Sequence, residues 1–238
     1  MIRIGVTGQN GFIGSHLKNT IGLSSDEFVL IPFSREYFDL PAMIDEFVSS
    51  CDVIVHLAAL NRDEDQENLY NQNTKLVDNL IASLIRTEVR PHIVFSSSTQ
   101  EEKGNSYGKS KRTGRGKFQD WARKYDGKFT GLLIPNVFGP FGKPYYNSFI
   151  ATFCSQLVSG LEPHIDHDAQ VSLIYVGELV EEIMRIVRKK HVEDLYMIKP
   201  TASCTVSEVL LKLQSFKEKY FSKGEIPSLP TIFDIQLF

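Results

Sequence analysis

The amino-terminal half of the chain alternates short, nearly unbroken apolar runs with longer segments whose apolar positions recur at helical spacing. The runs are residues 2–7, 28–33, 53–57 and 92–96, and the amphipathic segments between them are residues 13–21, 42–50 and 71–87. A strand covered on both faces has no polar side to show, so an unbroken apolar run marks it. The alternation predicts βαβ units, and with them an α/β fold built on a doubly wound parallel sheet.

A long helix is expected over residues 107–125; Gly114 and Gly116 weaken it and suit close packing against a neighbour. A fifth strand is expected over 131–134, after which Pro135 and the stretch FGPFGKP break the pattern. Helices over 149–159 and 176–189 then flank the loop LEPHIDHDAQ and a short strand over 171–175. Residues 195–198 return to the sheet. Thr205, with Glu208 three residues on, has the form of a capping box opening a helix to about Tyr220.

Composition narrows the class. The 238 residues carry a net charge of -3, with 42% hydrophobic and 23% charged residues, ordinary globular values that exclude bulk disorder. A chain of this size buries roughly 70% of its unfolded surface, so a large core needs no disulfide staple. The net charge gives no general attraction to nucleic acid or anionic membrane. The longest apolar runs, IVHLAAL and TGLLIP, fall far short of the ~20 residues that span a bilayer. The amino terminus lacks the basic and long apolar regions of a signal peptide. Cys51, Cys154 and Cys204 are odd in number and scattered, which reads as reduced thiols and a cytoplasmic location.

Candidate chemistry begins at Gly8-Gln9-Asn10-Gly11-Phe12-Ile13-Gly14, directly between the first strand and the first helix. A tight turn beneath a pyrophosphate tolerates no Cβ, and the helix N-terminus offers N–H groups and a positive dipole to the phosphates. A plain strand–helix turn would carry glycine too, so the argument rests on the motif's placement. The second strand ends in Phe33-Ser34-Arg35, with no acidic residue to take a ribose 2′-hydroxyl. Ser34 and Arg35 suit a 2′-phosphate, which favours NADP (as NADPH) over NAD. Asp39 and Leu40 follow where the adenine would lie. Residues 1–146 are therefore expected to form an NADP-binding Rossmann domain. Residues 147–238 are expected to be mostly a small C-terminal substrate-binding lobe, with segments returning to the sheet.

Tyr107 and Lys111 form a YxxxK pair, which helical i,i+4 spacing places on one face. A neighbouring ammonium favours the phenolate and lowers the tyrosine's pKa. Just upstream, the strand HIVF runs into Ser96-Ser97-Ser98-Thr99, at the strand end where doubly wound sheets bind ligands.

In order along nearly the whole chain, TGQNGFIG, HLAA, FSSS, YGKSK, PNVFGP and YVGEL resemble the extended short-chain dehydrogenase/reductases, the NAD-dependent epimerase/dehydratase family. The short connection from Ser98 to Tyr107 and the stretch KPYYNSFIATFC resemble, more specifically, reductase domains of capsular-polysaccharide enzymes. The resemblance implies Ser98, Tyr107 and Lys111 as catalytic residues. It places Gly8, Asn10, Gly11, Phe12, Ile13, Gly14, Leu57, Ala58, Ala59, Tyr107 and Lys111 against the cofactor. By position alone it assigns Asn136 and Asn147 to the substrate; loop asparagines bonding nearby backbone would look the same. The implied activity is NADPH-dependent reduction of a 4-keto nucleotide sugar, of the UDP-N-acetyl-6-deoxyhexosamine type, in surface-polysaccharide biosynthesis. The implied assembly is a homodimer packed through the helices at 71–87 and from Tyr107. Such enzymes usually continue into a C-terminal cupin, and the apolar ending IPSLPTIFDIQLF reads as a truncation.

The chain also departs from the pattern. Leu133 stands where relatives carry arginine, Tyr175-Val176-Gly177-Glu178 replaces Tyr-Val-Asp-Asp, and no arginine lies near Val171. Thr99 and Gln100 occupy the positions where dehydratases place Asp-Glu, which disfavours dehydration. A nucleotide-sugar epimerase and a non-catalytic NADP-binding sensor remain the alternatives. Other clusters read as solvated surface. His164, Asp166, His167 and Asp168 lack a distant cluster to complete a metal site, so no metal is expected. Lys109, Arg112, Arg115 and Lys117 lack the wider footprint of a nucleic-acid binder. Asp63, Glu64, Asp65 and Glu67 form one charged run at a loop or helix start.

Overall fold

The computed structural model describes residues Met1–Phe238, which divide into two compact units. The first comprises Met1–Ile134 and Val180–Ile198, the second Pro135–Leu179 and Lys199–Phe238. The division thus falls at Pro135, where regular alternation stops, rather than after residue 146, and it lies within one helix at Leu179/Val180.

In the first unit, β1 (Ile2–Thr7), β2 (Phe28–Ile31), β3 (Val53–His56), β4 (His92–Ser98) and β5 (Lys128–Ile134) are the expected strands. They alternate with α1 (Phe12–Leu23), α2 (Pro41–Ser50), α3 (Gln66–Thr87) and α4 (Ser106–Tyr125). The second unit opens with β6 (Asn136–Phe138), α5 (Phe149–Val158) and β7 (Gln170–Tyr175). The chain then returns to the first unit within α6 (Val176–Lys189) and adds β8 (Glu193–Met197) there, before β9 (Ala202–Thr205), α7 (Val206–Phe216) and α8 (Ile232–Leu237) complete the second unit.

The first sheet has the order β2-β1-β3-β4-β5-β8, every pair parallel. β8 joins the edge of β5 with Tyr196 opposite Leu132 and Met197 opposite Leu133, the return expected at 195–198. The strand order reverses between β1 and β3, and at such a switch point the strand ends diverge and leave a crevice for ligand. Ile54, Ile93, Phe95 and Phe129 share a core cluster with Phe47 of α2, Leu80 of α3, and Phe118 and Trp121 of α4. Leu17 and Ile21 of α1 are buried as well. Inside this layer Gly114 serves the chain itself rather than a second copy. A Cβ there would lie 3.0 Å from both Phe95 Cζ and Val77 Cγ2, whereas Gly116 faces open space.

The second unit holds a three-stranded sheet, β6-β7-β9, with β6 parallel and β9 antiparallel to β7. Its core gathers Phe138, Ile150, Phe153, Leu173, Val209 and Leu213. Thr205 and Glu208 form the expected capping box, but α7 ends at Phe216 and gives way to a wider turn over Lys217–Ser222. The apolar carboxy-terminal stretch is packed in part, with Ile226, Ile232 and Ile235 left exposed. Thr231 and Asp234 cap α8 reciprocally, Phe233 and Leu237 join the core, and Lys212 Nζ donates to the buried Asp234 at 2.6 Å.

Candidate active site

The glycine turn lies at the switch point. Gly8 has φ +77°, a conformation that side chains resist, and a Cβ there would lie 2.9 Å from Ala58 N. A Cβ on Gly14 would lie 2.1 Å from Gly8 O, so the helix starts against the turn's own backbone. Leu57 N and Ala58 N donate to Thr7 O (3.1 Å) and Thr7 Oγ1 (3.3 Å), which brings the Leu57-Ala58-Ala59 segment beside the turn. Gly11 caps α1 without a side-chain bond, and the first turn of α1, which includes Phe12 and Ile13, carries no acidic residue. The cradle fits the pyrophosphate of a nicotinamide dinucleotide: backbone exposed by glycine, unsatisfied helix N–H groups and no opposing charge.

Gln9 ties this turn to the end of β2. Its Nε2 donates to Phe33 O at 2.6 Å, and its Oε1 is a buried acceptor with no partner. Beyond Phe33 the structure brings in an acidic residue that does not directly follow the strand. The turn Arg35–Asp39 brings Glu36 back to accept a hydrogen bond from the Ser34 hydroxyl. Arg35 is exposed, Asp39 lies 3.8 Å from Lys75 Nζ, and Leu40 is exposed.

The second constellation sits on β4 and α4. Asn105 caps α4 by accepting from Gly108 N at 2.7 Å, which sets Tyr107 in the first turn. Lys111 follows one turn later and is 3% exposed, its Nζ donating to Ser96 O at 2.9 Å. The same ammonium lies 5.6 Å from the centre of the Tyr107 ring and 5.1 Å from that of Phe95. Burial pushes Lys111 down to about 8, against the opposing pull of the Glu101 carboxylate. Behind it, His56 bonds Thr7 Oγ1 through Nδ1 at 2.8 Å and is pushed down to about 3, by burial and then by Lys111, so it stays neutral. Ser98 ends β4 and accepts from Gln100 N at 3.2 Å, which leaves its hydroxyl hydrogen to donate elsewhere.

Tyr107 is half-buried and opens onto a cleft of about 580 Å³ whose walls include Arg62, Gln100 and Asn105. Asn73, 5% exposed, holds the wall behind it. Its side chain accepts from Leu60 N (2.7 Å) and donates to Leu60 O (2.9 Å) and Ser110 Oγ (3.1 Å). Nothing in the local pattern marked Asn73 or Glu101, since one lies mid-helix and the other in an acidic run. Asp65 of the neighbouring charged run caps α3, accepting from Glu67 N and Asn68 N. Asn136 and Asn147 belong to the second unit. Both are exposed, Asn136 donating weakly to Ser172 O (3.4 Å) and Asn147 preceding the N-cap of α5.

Known proteins resemble this chain in sequence and in fold. The UDP-2-acetamido-2,6-beta-L-arabino-hexul-4-ose reductase of Pseudomonas aeruginosa is 29% identical over 222 residues, 91% of this chain and 58% of the relative. The capsular polysaccharide assembling protein CapF of Staphylococcus aureus superposes with a TM-score of 0.80 at 27% identity, over 100% of this chain and 64% of that one. This chain therefore spans under two thirds of either. RMD from Pseudomonas aeruginosa, solved in complex with NADPH, gives a TM-score of 0.83 over 100% of this chain and 96% of that one; at 16% identity it shows the shared fold. No helix is long and apolar enough to cross a membrane. Residues 4–198 match the family model, and with the glycine cradle and the Tyr107–Lys111 pair in place the chain belongs to the NAD dependent epimerase/dehydratase family.

Proposed function

We propose that this protein is an NADPH-dependent reductase of a 4-keto nucleotide sugar in surface-polysaccharide biosynthesis. The observation that carries the reading is the buried Lys111 ammonium held between Ser96 O and the Tyr107 ring, with Tyr107 opening onto a cleft. Hydride is what the reduced dinucleotide supplies when bound. Tyr107 gives its phenolic proton to the sugar oxygen as charge develops there, and Ser98 donates a hydrogen bond to the same oxygen. Lys111 stabilises the phenolate that remains and holds the nicotinamide ribose. The first unit is proposed to take the dinucleotide. The second is proposed to take the nucleotide sugar, with Asn136 and Asn147 as contacts. The similarity of the capsular and hexulose-reductase relatives supports a UDP-N-acetyl-6-deoxyhexosamine type of substrate.

The test is NADPH oxidation with a panel of 4-keto UDP- and dTDP-sugars. The reading expects turnover with a UDP-N-acetyl 4-keto sugar; no oxidation with any member rejects it. Arg35 and Glu36 pull cofactor choice in opposite directions, because a guanidinium attracts a 2′-phosphate and a carboxylate repels it. Arg35→Ala is expected to cut NADPH preference over NADH by about tenfold, the equivalent of one charge-assisted hydrogen bond of ~1.5 kcal/mol. Glu36→Gln is expected to raise it. Equal affinities for the two cofactors, unmoved by either change, would show that these residues do not choose.

The proposed assembly is a homodimer through the solvent faces of α3 and α4, where Ile85 is 40% exposed. Light scattering at high concentration should give twice the chain mass, and a monomer there rejects the dimer.

A further inference from the structure

An ion pair that the proposed reaction does not use joins the turn between Ser98 and Tyr107 to α4. Glu101 is 7% exposed and accepts from Arg115 Nε at 2.9 Å and Nη2 at 2.8 Å, and from the Ser97 hydroxyl. Arg115 lies on α4 one helical turn beyond Lys111, on the same face. Gly131 of β5 makes room for it, since a Cβ there would lie 2.8 Å from Arg115 Cδ. Gly108 brings the turn against the helix, since a Cβ on it would lie 2.0 Å from Gln100 O. A pair buried this way is seldom more stabilising than apolar side chains of the same volume, so its presence asks for a use.

Two uses meet at this site. Ser98 starts the turn and Tyr107 follows it, so whatever fastens the turn to α4 fixes one hydroxyl relative to the other. Lys111 is a buried cation whose direct partners are Ser96 O at 2.9 Å and Ser96 Oγ at 3.4 Å, neither of them charged. Around it, β3 contributes neutral His56, β4 contributes Phe95 and Ser96, and its own helix contributes Tyr107, Arg112 and Arg115. On α3, Asp78 pairs with Lys117, Tyr70 bonds Thr113 and Asn73 bonds Ser110. On β8, Asp194 pairs with Arg123. Glu101 reaches this neighbourhood through the Ser97 hydroxyl, next in the chain to the Ser96 groups that hold Lys111 Nζ, and its negative charge favours the ammonium. We propose that the Glu101–Arg115 pair is a positioning device of the Ser98–Tyr107–Lys111 site: it fastens the Thr99–Lys103 turn to α4, and its carboxylate balances the buried Lys111 ammonium. The inference rests on the reductase reading for its catalytic consequence.

Charge and strut separate by sign. Removing the carboxylate makes the Lys111 cation harder to hold, while removing the guanidinium makes it easier. The experiment measures NADPH affinity and keto-sugar turnover across the neutral to alkaline range for the wild type, Glu101→Gln and Arg115→Gln. Both quantities should fall on the alkaline side as Lys111 loses its proton. Glu101→Gln should move that fall about one pH unit lower, and Arg115→Gln should move it higher. Glu101→Asp, which keeps the charge on a shorter arm, should lower kcat by loosening the turn yet leave the midpoint in place. If Glu101→Gln does not fold, Arg115→Gln and Glu101→Asp carry the test. Midpoints that stay together, shifts in the same direction, or an affinity with no alkaline fall overturn the proposal. A wild type that binds NADPH but reduces no keto sugar rejects the reductase reading alone, because the NADPH midpoints still decide the role of the pair.

Discussion

Tyr107→Phe lowers keto-sugar turnover by ~10²–10⁴-fold, the usual worth of a positioned general acid, and leaves NADPH affinity nearly unchanged. The substitution removes one oxygen from a half-buried ring and keeps the ring that packs 5.6 Å from Lys111 Nζ. The fold and the cofactor cradle lie elsewhere in the unit, so thermal stability should stay within ~0.5 kcal/mol, as for most changes away from the core. The neighbouring serines sharpen the expectation. The run Ser96-Ser97-Ser98-Thr99 offers Ser97 and Thr99 as stand-ins for a lost Ser98 hydroxyl. The structure removes Ser97 from that role, because it is 3% exposed and its hydroxyl is spent on Glu101. Ser98→Ala should therefore lose more rate than a run of interchangeable hydroxyls implies. Steady-state rates beside fluorescence titrations of NADPH give both numbers. A Tyr107→Phe protein with full activity would remove this tyrosine from the chemical step.

Gly14→Ala has the second large effect, on cofactor binding and on the fold together. Its Cβ would lie 2.1 Å from Gly8 O and 2.8 Å from Gln9 Cα, and both neighbours are backbone that cannot rotate away. Relief requires the turn and the start of α1 to part, at a cost of ~1–3 kcal/mol as for other overpacked sites. Displaced N–H groups no longer converge on a pyrophosphate, so NADPH affinity should fall at least tenfold, about 1.4 kcal/mol. Gly22, in the same helix with nothing within 4 Å, is the internal control. Gly22→Ala should be neutral or mildly stabilising, by up to ~1 kcal/mol, because alanine is the better helix former. Melting curves and NADPH titrations of the two variants make the comparison. Wild-type affinity in Gly14→Ala would mean that the cradle binds something other than phosphate.

The parts legible in the sequence share one physical property. Each of β1, β3 and β4 has a central stretch buried on both faces, residues 4–6, 53–55 and 93–95, where no polar side chain is tolerated, and that short apolar run announces itself. Glycine at residues 8 and 14 was equally legible, because steric exclusion allows one residue type. What escaped depends on partners far away in the chain. β9, Ala202–Thr205, is small and polar and becomes a strand only through pairing with β7. Glu101 and Glu102 are indistinguishable in sequence, and Arg115 is what buries the first and leaves the second in solvent. Glu36 is hidden in the sequence for a related reason. The expected acidic residue follows the second strand directly, whereas here a helical turn carries it back to Ser34.

The discontinuity of the first unit has a consequence for synthesis on the ribosome. β1 to β5 all lie before Pro135, whereas β8, which covers the outer edge of β5, comes after the inserted segment Pro135–Leu179. A nascent chain that has completed Ile134 presents Leu132, Leu133 and Ile134 on an unpaired parallel edge, the kind of template that recruits other strands. Its cover, beginning at Glu193, follows about sixty residues later, roughly 3–12 s at ~5–20 residues per second. For that interval the apolar end of β5 lies open to mispairing, a hazard that the finished sheet no longer carries once β8 is in place.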